Sequence, residues 1–215
     1  MAEHALRLIL SSPQENSPMA QKPGNAPQYP QDVTLGGKQY HIRKMTEHDG
    51  EVVRQFALKL PPHDLLFMRR DITKSEGIGR WLDALKRGAM HTLLCEDNEG
   101  IVGYSSIHLT ELDWSAHVAD LRVQIGQRAR GGGLGRYMTR EAFNLALSLG
   151  IRKVVARMTT DQTSARALFQ ELGFTPEALL KDEVRDRNGE FHDLLIMACD
   201  VETFMAQREA FGVAR

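Results

Sequence analysis

The spacing of apolar residues changes period near the middle of the chain. Val52, Val53, Phe56, Ala57 and Leu60 follow Thr46, Glu47 and Asp49, which reads as a capped helix start and one buried face. Pro61-Pro62 closes that helix and opens a second through Leu65, Leu66 and Met68. Ile78, Trp81, Leu82 and Leu85 mark a third, ending at Gly88. After Gly88 the runs shorten. Thr92–Glu96 and Ile101–Leu109 read as strands joined by the turn Asp97-Asn98-Glu99-Gly100. Trp114–Ile125 alternates, with Ala119, Leu121, Val123 and Ile125 on one face and Val118, Asp120, Arg122 and Gln124 on the other. A glycine-rich turn leads into a helix from about Leu134 to Leu149; Lys153–Met158 is a strand and Thr163–Leu172 a helix with Gly173 as its C-cap. Ala178–Arg185 and Phe191–Cys199 form a hairpin about Asn188-Gly189. With Gln39–Arg43 as a further short strand, the reading is a mixed α/β body of one domain.

Composition sharpens the two ends. Five of the eight prolines lie within the first 30 residues, and none lies between Pro62 and Pro176. Residues 1–35, rich in Pro, Gln, Asn and Ser, read as a flexible arm with Glu3–Leu10 as its one helical candidate; 36–215 is the folded domain. A length of 215 residues with 42% hydrophobic suits a single core of ordinary size. Lys+Arg 27 against Asp+Glu 28 gives a formal net charge of -1, which argues against a chain-wide basic field for nucleic acid. Cys95 and Cys199 sit in apolar runs without zinc-ligand spacing, so both are expected to be buried reduced thiols and no metal is expected. Leu8-Ile9-Leu10 is too short for a signal core, and no run approaches the roughly 18 apolar residues of a membrane span. A cytoplasmic protein is the expectation; monomer and homodimer are both left open.

The sharpest local feature is Arg130-Gly131-Gly132-Gly133-Leu134-Gly135-Arg136, between a strand and a helix. Glycines there bring backbone close to a ligand and present consecutive N–H groups at a helix N-terminus, which suits a phosphate or pyrophosphate. Arg128, Arg130, Arg136 and Arg140 add positive charge. A solvated surface turn is the alternative. Nucleotide loops are excluded by residue type: Gly135 is followed by Arg136-Tyr137 rather than Lys-Ser/Thr, and Gly-x-Gly-x-x-Gly fails at Arg136 or at Met138, depending on the starting glycine.

The pattern Arg130-x-x-Gly133-x-Gly135 after the strand ending Val123-Gln124-Ile125, together with Ala165-x-x-x-Phe169-x-x-Leu172-Gly173-Phe174, resembles the Gcn5-related N-acetyltransferase (GNAT) superfamily over roughly residues 38–200. The resemblance implies a central, mostly antiparallel twisted sheet of six to seven strands flanked by helices, with two central strands splayed. It also implies acetyl-CoA as co-substrate and direct transfer of an acetyl group to a primary amine, on a protein or a small molecule. It assigns the pyrophosphate to the turn from Arg130 through Gly131, Gly132, Gly133, Leu134 and Gly135 to Arg136, and the pantetheine arm to the main chain of Val123 and Ile125. Asp120, ten residues before Arg130, occupies the position of the usual glutamate base, with His117 and His108 in reserve and an ion pair as the structural alternative. The Val123 N–H is the candidate oxyanion donor. Gln162 stands where the family has a pantetheine-binding asparagine, and its other reading is a helix entry. Phe169 replaces the usual tyrosine acid, so the leaving thiolate is protonated by solvent, by Tyr137 or Tyr104, or needs no acid. The same replacement sustains a competing reading as a non-catalytic acyl-CoA-binding module.

Overall fold

The computed structural model describes residues 27–65, 71–186 and 188–204. Eight strands form one sheet: β1 (Gln31–Leu35), β2 (Lys38–Lys44), β3 (Met90–Asp97), β4 (Gly100–Leu109), β5 (Val118–Ile125), β6 (Lys153–Thr159), β7 (Thr175–Arg185) and β8 (Phe191–Asp200), in the order β1-β2-β3-β4-β5-β6-β8-β7. Every neighbouring pair is antiparallel except β5–β6, which is parallel because its crossover is a helix. The helices that pack on the sheet are α1 (Gly50–Leu58), α2 (Ser75–Lys86), α3 (Leu134–Ser148) and α4 (Thr163–Glu171).

The alternation read from the sequence decides which helix covers which face. Ile107, Ala119, Leu121, Val154 and Ala156 bury against α3 and α4, in a core with Phe143, Phe169 and Phe174. The opposite face packs Leu94 and Tyr104 under Val53, Phe56 and Ala57 of α1 and Ile78 and Trp81 of α2. Val52, read as part of the α1 stripe, is exposed at the edge of that contact. Cys95 and Cys199 are both buried and free, and burial pushes each thiol up to about 12.

Three expectations change. The arm does not extend to residue 35: Gln31–Leu35 pairs in register with Lys38–Ile42, which makes the strand count eight rather than six to seven. Tyr29, just before it, donates to the Glu141 carboxylate of α3 at 2.9 Å, tying the chain to the domain ahead of β1. The helix proposed at Glu3–Leu10 lies outside the described residues. Trp114 does not begin a strand; Asp113–Ser115 is a 3-10 turn and β5 starts at Val118. Pro62–Leu65 is a single 3-10 turn, and Leu66 and Met68 lie outside the described residues.

A partly buried ion-pair network joins β2 to the start of α1. Asp49 accepts from Arg43 at 2.7 and 2.9 Å and from the Thr46 N–H and hydroxyl at 2.7 and 2.8 Å, while Arg43 also reaches Glu96 at 2.6 Å. Burial raises the Asp49 pKa, but these bonds outweigh it and hold the carboxyl down to about 2 from its usual 3.8. A depressed carboxylate stabilises the fold above its unfolded pKa and loses that contribution as pH falls through the folded value. Asp49→Asn is therefore expected to cost about 2 kcal/mol near neutral pH, roughly 4–8 °C in Tm. Thermal melts across pH should show wild type and variant converging between pH 4 and 2, the window set by the two pKa values; a constant difference across that window would refute the assignment.

Candidate active site

The pairing of β5 with β6 stops early. Val118, Ala119, Asp120 and Leu121 pair with Lys153, Val154, Val155 and Ala156, yet β5 runs on to Ile125 and β6 to Thr159 without further partners between them. The expected splay is therefore present, with its apex at Leu121–Ala156. On its other edge β5 stays paired to β4 throughout, ending with the Gly126 N–H on the Val102 carbonyl at 2.8 Å. Backbone donors alternate sides along an extended strand, so the N–H groups of Val123 and Ile125 face away from β4 and into the splay. The Ile125 carbonyl follows the same rule, accepting from Arg130 Nε at 3.0 Å.

At the open end lies the glycine turn. Gly131 and Gly133 hold φ of +83° and +85°, left-handed values that an L side chain resists. A Cβ built on Gly131, Gly132 or Gly133 meets nothing within 4 Å, so this backbone borders open space. Gly133 is the N-cap of α3 and supplies no side-chain cap. The first-turn N–H groups of a helix have no intrahelical acceptor, which leaves Leu134, Gly135 and Arg136 presenting donors there. Leu134 itself is buried, so only its main chain is available. These features fit a diphosphate at the turn and an extended thioester-bearing arm along Val123 and Ile125.

The flanking arginines are less free than composition suggests. Arg128 pairs with Asp97 and Glu99 at 2.7 and 3.0 Å, Arg130 with Asp64, and Arg136 with Glu171. Arg140 lies 5.3 Å over the Tyr137 ring. The donors at the turn are chiefly backbone groups rather than side-chain charge.

Between the splayed strands lies a narrow cleft of about 100 Å³ whose walls include Val123, Met158, Gln162, Phe169 and Tyr104. Gln162 is the N-cap residue of α4 without a side-chain capping bond, which leaves its amide at the cleft wall. Phe169 is buried edge-on against Phe174, with centroids 4.9 Å apart, and presents a ring where the family pattern has a hydroxyl. Of the two tyrosines considered from sequence, Tyr137 turns away and donates to Gln31 at 3.1 Å. Tyr104 lines the cleft, held edge-on by Trp81 at 5.0 Å and Phe56 at 6.3 Å. Burial raises its pKa above the usual phenol value against a smaller opposing effect of Arg122, so it carries a proton at neutral pH.

Asp120 sits at the apex of the splay on the α1/α2 face, ion-paired with Arg157 of β6. The reserve histidines diverge: His108 shares a hydrogen bond with the Ser106 hydroxyl at 3.0 Å on that same face, and His117 is exposed ahead of β5. Sequence reasoning did not single out Arg157 as a neighbour of Asp120. Arg157 had a signal, a cation inside the apolar run Val154-Val155-Ala156-Arg157-Met158. His63 and Asp64 lie in the segment before the first long hairpin, which the family resemblance places at the acceptor side, but the sequence pointed to no particular partner for them. The 3-10 turn carrying them crosses the cleft mouth: Asp64 accepts from Gln124 at 3.2 Å and from Arg130 on the β5 side, while His63 lies 3.3 Å from Asp161 on the β6–α4 side. A larger cavity, about 900 Å³, lies over β1–β3 between Asp32, His41 and Arg128 and shares no wall with the cleft. Among the described residues, side chains able to share a metal ion meet at the β7–β8 turn, where Asp186 already accepts the Asn188 and Glu190 N–H groups beside His192.

Residues 62–174 match the family model described as Acetyltransferase (GNAT) family. A putative phosphinothricin acetyltransferase, YwnH of Bacillus subtilis (strain 168), is 30% identical over 79 residues, 37% of this chain and 48% of that protein. The match thus spans about half the length of that curated relative. Among solved structures, an acetyltransferase of the GNAT family from Streptococcus pneumoniae superposes with a TM-score of 0.65 at 25% identity, over 75% of this chain and 99% of the other. A putative acetyltransferase of Salmonella typhimurium, yncA, solved with its cofactor acetyl-CoA, gives a TM-score of 0.64 at 20% identity, over 75% and 94%. No helix among the described residues is long and apolar enough to cross a membrane.

Proposed function

The chain belongs to the acetyltransferase (GNAT) family, whose co-substrate is acetyl-CoA, and on that premise we propose that it acetylates a primary amine by direct attack, with Asp120 as base. The observation that carries this reading is the early end of β5–β6 pairing, which aims the Val123 and Ile125 N–H groups into a gap that opens on the Gly131–Gly133 turn.

Acetyl-CoA would supply the acetyl group as an activated thioester. The turn and the first N–H groups of α3 hold negative charge, and Val123 and Ile125 orient the extended arm as an added strand would. Gln162 offers its amide from the α4 side. An amine acceptor is an ammonium at neutral pH, with a pKa of about 10.4 for a lysine-like group, and is not a nucleophile until it loses a proton. Asp120, at the apex on the acceptor face, removes that proton and passes it to solvent. The amine nitrogen then bonds the acetyl carbon as the carbon–sulfur bond breaks, and the Val123 N–H faces the charge developing on oxygen. The nitrogen gives up its second proton and the thiolate gains one; Tyr104, which lines the cleft and keeps its proton at neutral pH, is the proposed donor. The cytoplasm is the proposed compartment, where the buried thiols Cys95 and Cys199 stay reduced.

Phe169 favours a second reading, an acyl-CoA-binding module without turnover. Two measurements separate the readings. Acetyl-CoA at millimolar concentration should raise Tm, and an amine panel should release free thiol from acetyl-CoA; stabilisation without thiol release on any amine would select the binding module. Tyr104→Phe keeps the ring contacts to Trp81 and Phe56, so the fold should persist while kcat falls about tenfold, below the usual 10²–10⁴-fold range of general-acid effects because a thiolate already leaves readily. An unchanged kcat in the thiol-release assay would show that Tyr104 donates no proton.

A further inference from the structure

The glycine turn has a neighbour outside its own motif. The β1–β2 hairpin turns at Gly36, where a Cβ would stand 3.4 Å from the Gly132 Cα and 3.5 Å from the Gly132 carbonyl oxygen. Two residues on, Lys38 Nζ donates to the Arg128 carbonyl at 3.4 Å. Side chains of α3 hold the hairpin in this place: Glu141 accepts from Tyr29 at 2.9 Å, and Tyr137 donates to Gln31 at 3.1 Å. Lys38 lies outside residues 62–174, so the family match assigns it no role.

Charge around the turn singles Lys38 out. Arg130 pairs with Asp64 and Arg136 with Glu171, so neither pair brings net charge. Arg128 stands against both Asp97 and Glu99, and the second of these is 71% exposed and screened by water. Arg140 lies over the Tyr137 ring, about 9 Å along α3 from Leu134. The other carboxylates beside the hairpin are engaged too, Asp32 by His41 at 2.7 Å and Glu96 by Arg43 at 2.6 Å. Among the described residues Lys38 forms no ion pair. Its exposed ammonium has three N–H donors and places one of them on a backbone carbonyl, at a long distance.

Resting on the acetyltransferase reading, we infer that Lys38 binds a phosphate of acetyl-CoA, so that the hairpin supplies the full positive charge that the arginines of the turn have given to carboxylates. Acetyl-CoA carries a diphosphate and a ribose 3′-phosphate. The first N–H groups of α3 orient an anion, but a helix N-terminus amounts to only about half a unit charge. A compact ammonium on a flexible four-carbon stem complements it, because it can follow a phosphate without a fixed approach angle. Its bond to the Arg128 carbonyl parks the ammonium beside the turn, and exchanging that long, exposed bond for a charge-assisted one to phosphate is favourable. Lys38 is thus a binding residue that acts on affinity for the co-substrate.

The test is titration calorimetry on the full chain with acetyl-CoA and with 3′-dephospho-acetyl-CoA, alongside thermal melts without ligand. Lys38→Gln should melt like wild type and raise the Kd for acetyl-CoA about tenfold, the low end for a hydrogen bond to a charged group because the site is exposed. Lys38→Arg should recover most of that loss, and added salt should narrow the gap between wild type and Lys38→Gln. Lys181→Gln, which removes an exposed lysine from β7 at the opposite edge of the sheet, should stay within about twofold of wild type. A loss with acetyl-CoA alone assigns Lys38 to the ribose phosphate; an equal loss with the dephospho compound assigns it to the diphosphate. An unchanged Kd for both ligands in Lys38→Gln would overturn the inference, as would an equal loss in Lys181→Gln or in Lys38→Arg. Failure of wild type to bind acetyl-CoA is a different result, one that removes the acetyltransferase reading itself.

Discussion

Asp120→Asn is expected to lower kcat by about 10²–10⁴-fold, the usual range for losing a positioned base and equivalent to roughly 3–5 kcal/mol of barrier. Acetyl-CoA affinity should stay within about threefold, because the donors proposed to hold it are backbone groups of Val123, Ile125 and the glycine turn, whereas Asp120 points to the α1/α2 face. The substitution also neutralises the carboxylate that pairs with Arg157, so some loss of Tm is expected alongside. The two roles of Asp120 separate by measurement. Single-turnover rates per folded molecule, with acetyl-CoA affinity by calorimetry, should show a slow chemical step on an intact binding site. A purely structural ion pair would do the reverse: lower Tm, with turnover per folded molecule unchanged. Asp120→Glu, which keeps the charge on a longer stem, should recover part of the rate and thereby distinguish lost basicity from lost packing.

Gly133→Val is expected to weaken acetyl-CoA binding by more than about 100-fold, close to 3 kcal/mol. Two effects add. At φ +85° a side chain is strained, and a β-branched one more so than alanine. The added carbons also project into the open space beside the α3 N-terminus, where the diphosphate is proposed to lie. Gly150→Val is the matched control. Gly150 has φ +76° and equally open surroundings, but it follows the far end of α3. Both variants should lose comparable stability in thermal melts. Only Gly133→Val should lose the acetyl-CoA thermal shift; a parallel loss in both would mean that strain alone, not crowding of a ligand, explains the effect.

Much of the sheet was legible because periodicity is a local property. The alternation of Ala119, Leu121, Val123 and Ile125 against Asp120, Arg122 and Gln124 assigns the two faces of β5 wherever the strand ends up, and the structure keeps that division. β1 escaped because Gln31–Leu35 is a five-residue edge strand with only Val33 and Leu35 apolar, embedded in proline-rich sequence. Its stability comes from pairing with β2 and from the Tyr29–Glu141 bond, neither of which leaves a local mark. Trp114 was misplaced for a related reason: a large aromatic followed by alternation looks like a strand, yet Trp114 is 80% exposed on a 3-10 turn.

The glycine turn, the strand before it and the helix after it were determined by the sequence alone, since a left-handed backbone next to a helix start is encoded by residues that touch in sequence. The same holds for the missing hydroxyl at Phe169. Only the tertiary structure decided who meets whom across the sheet. It paired Asp120 with Arg157, 37 positions apart in sequence. It chose Tyr104 over Tyr137 for the cleft wall, drew His63 and Asp64 across the cleft mouth, and committed the arginines of the turn to carboxylate partners. Such pairings depend on strand register and helix placement, which are fixed by the burial of the whole apolar set rather than by the residues that make the contact. The sequence thus located the backbone proposed to bind the cofactor, and the fold assembled the charged groups around Asp120.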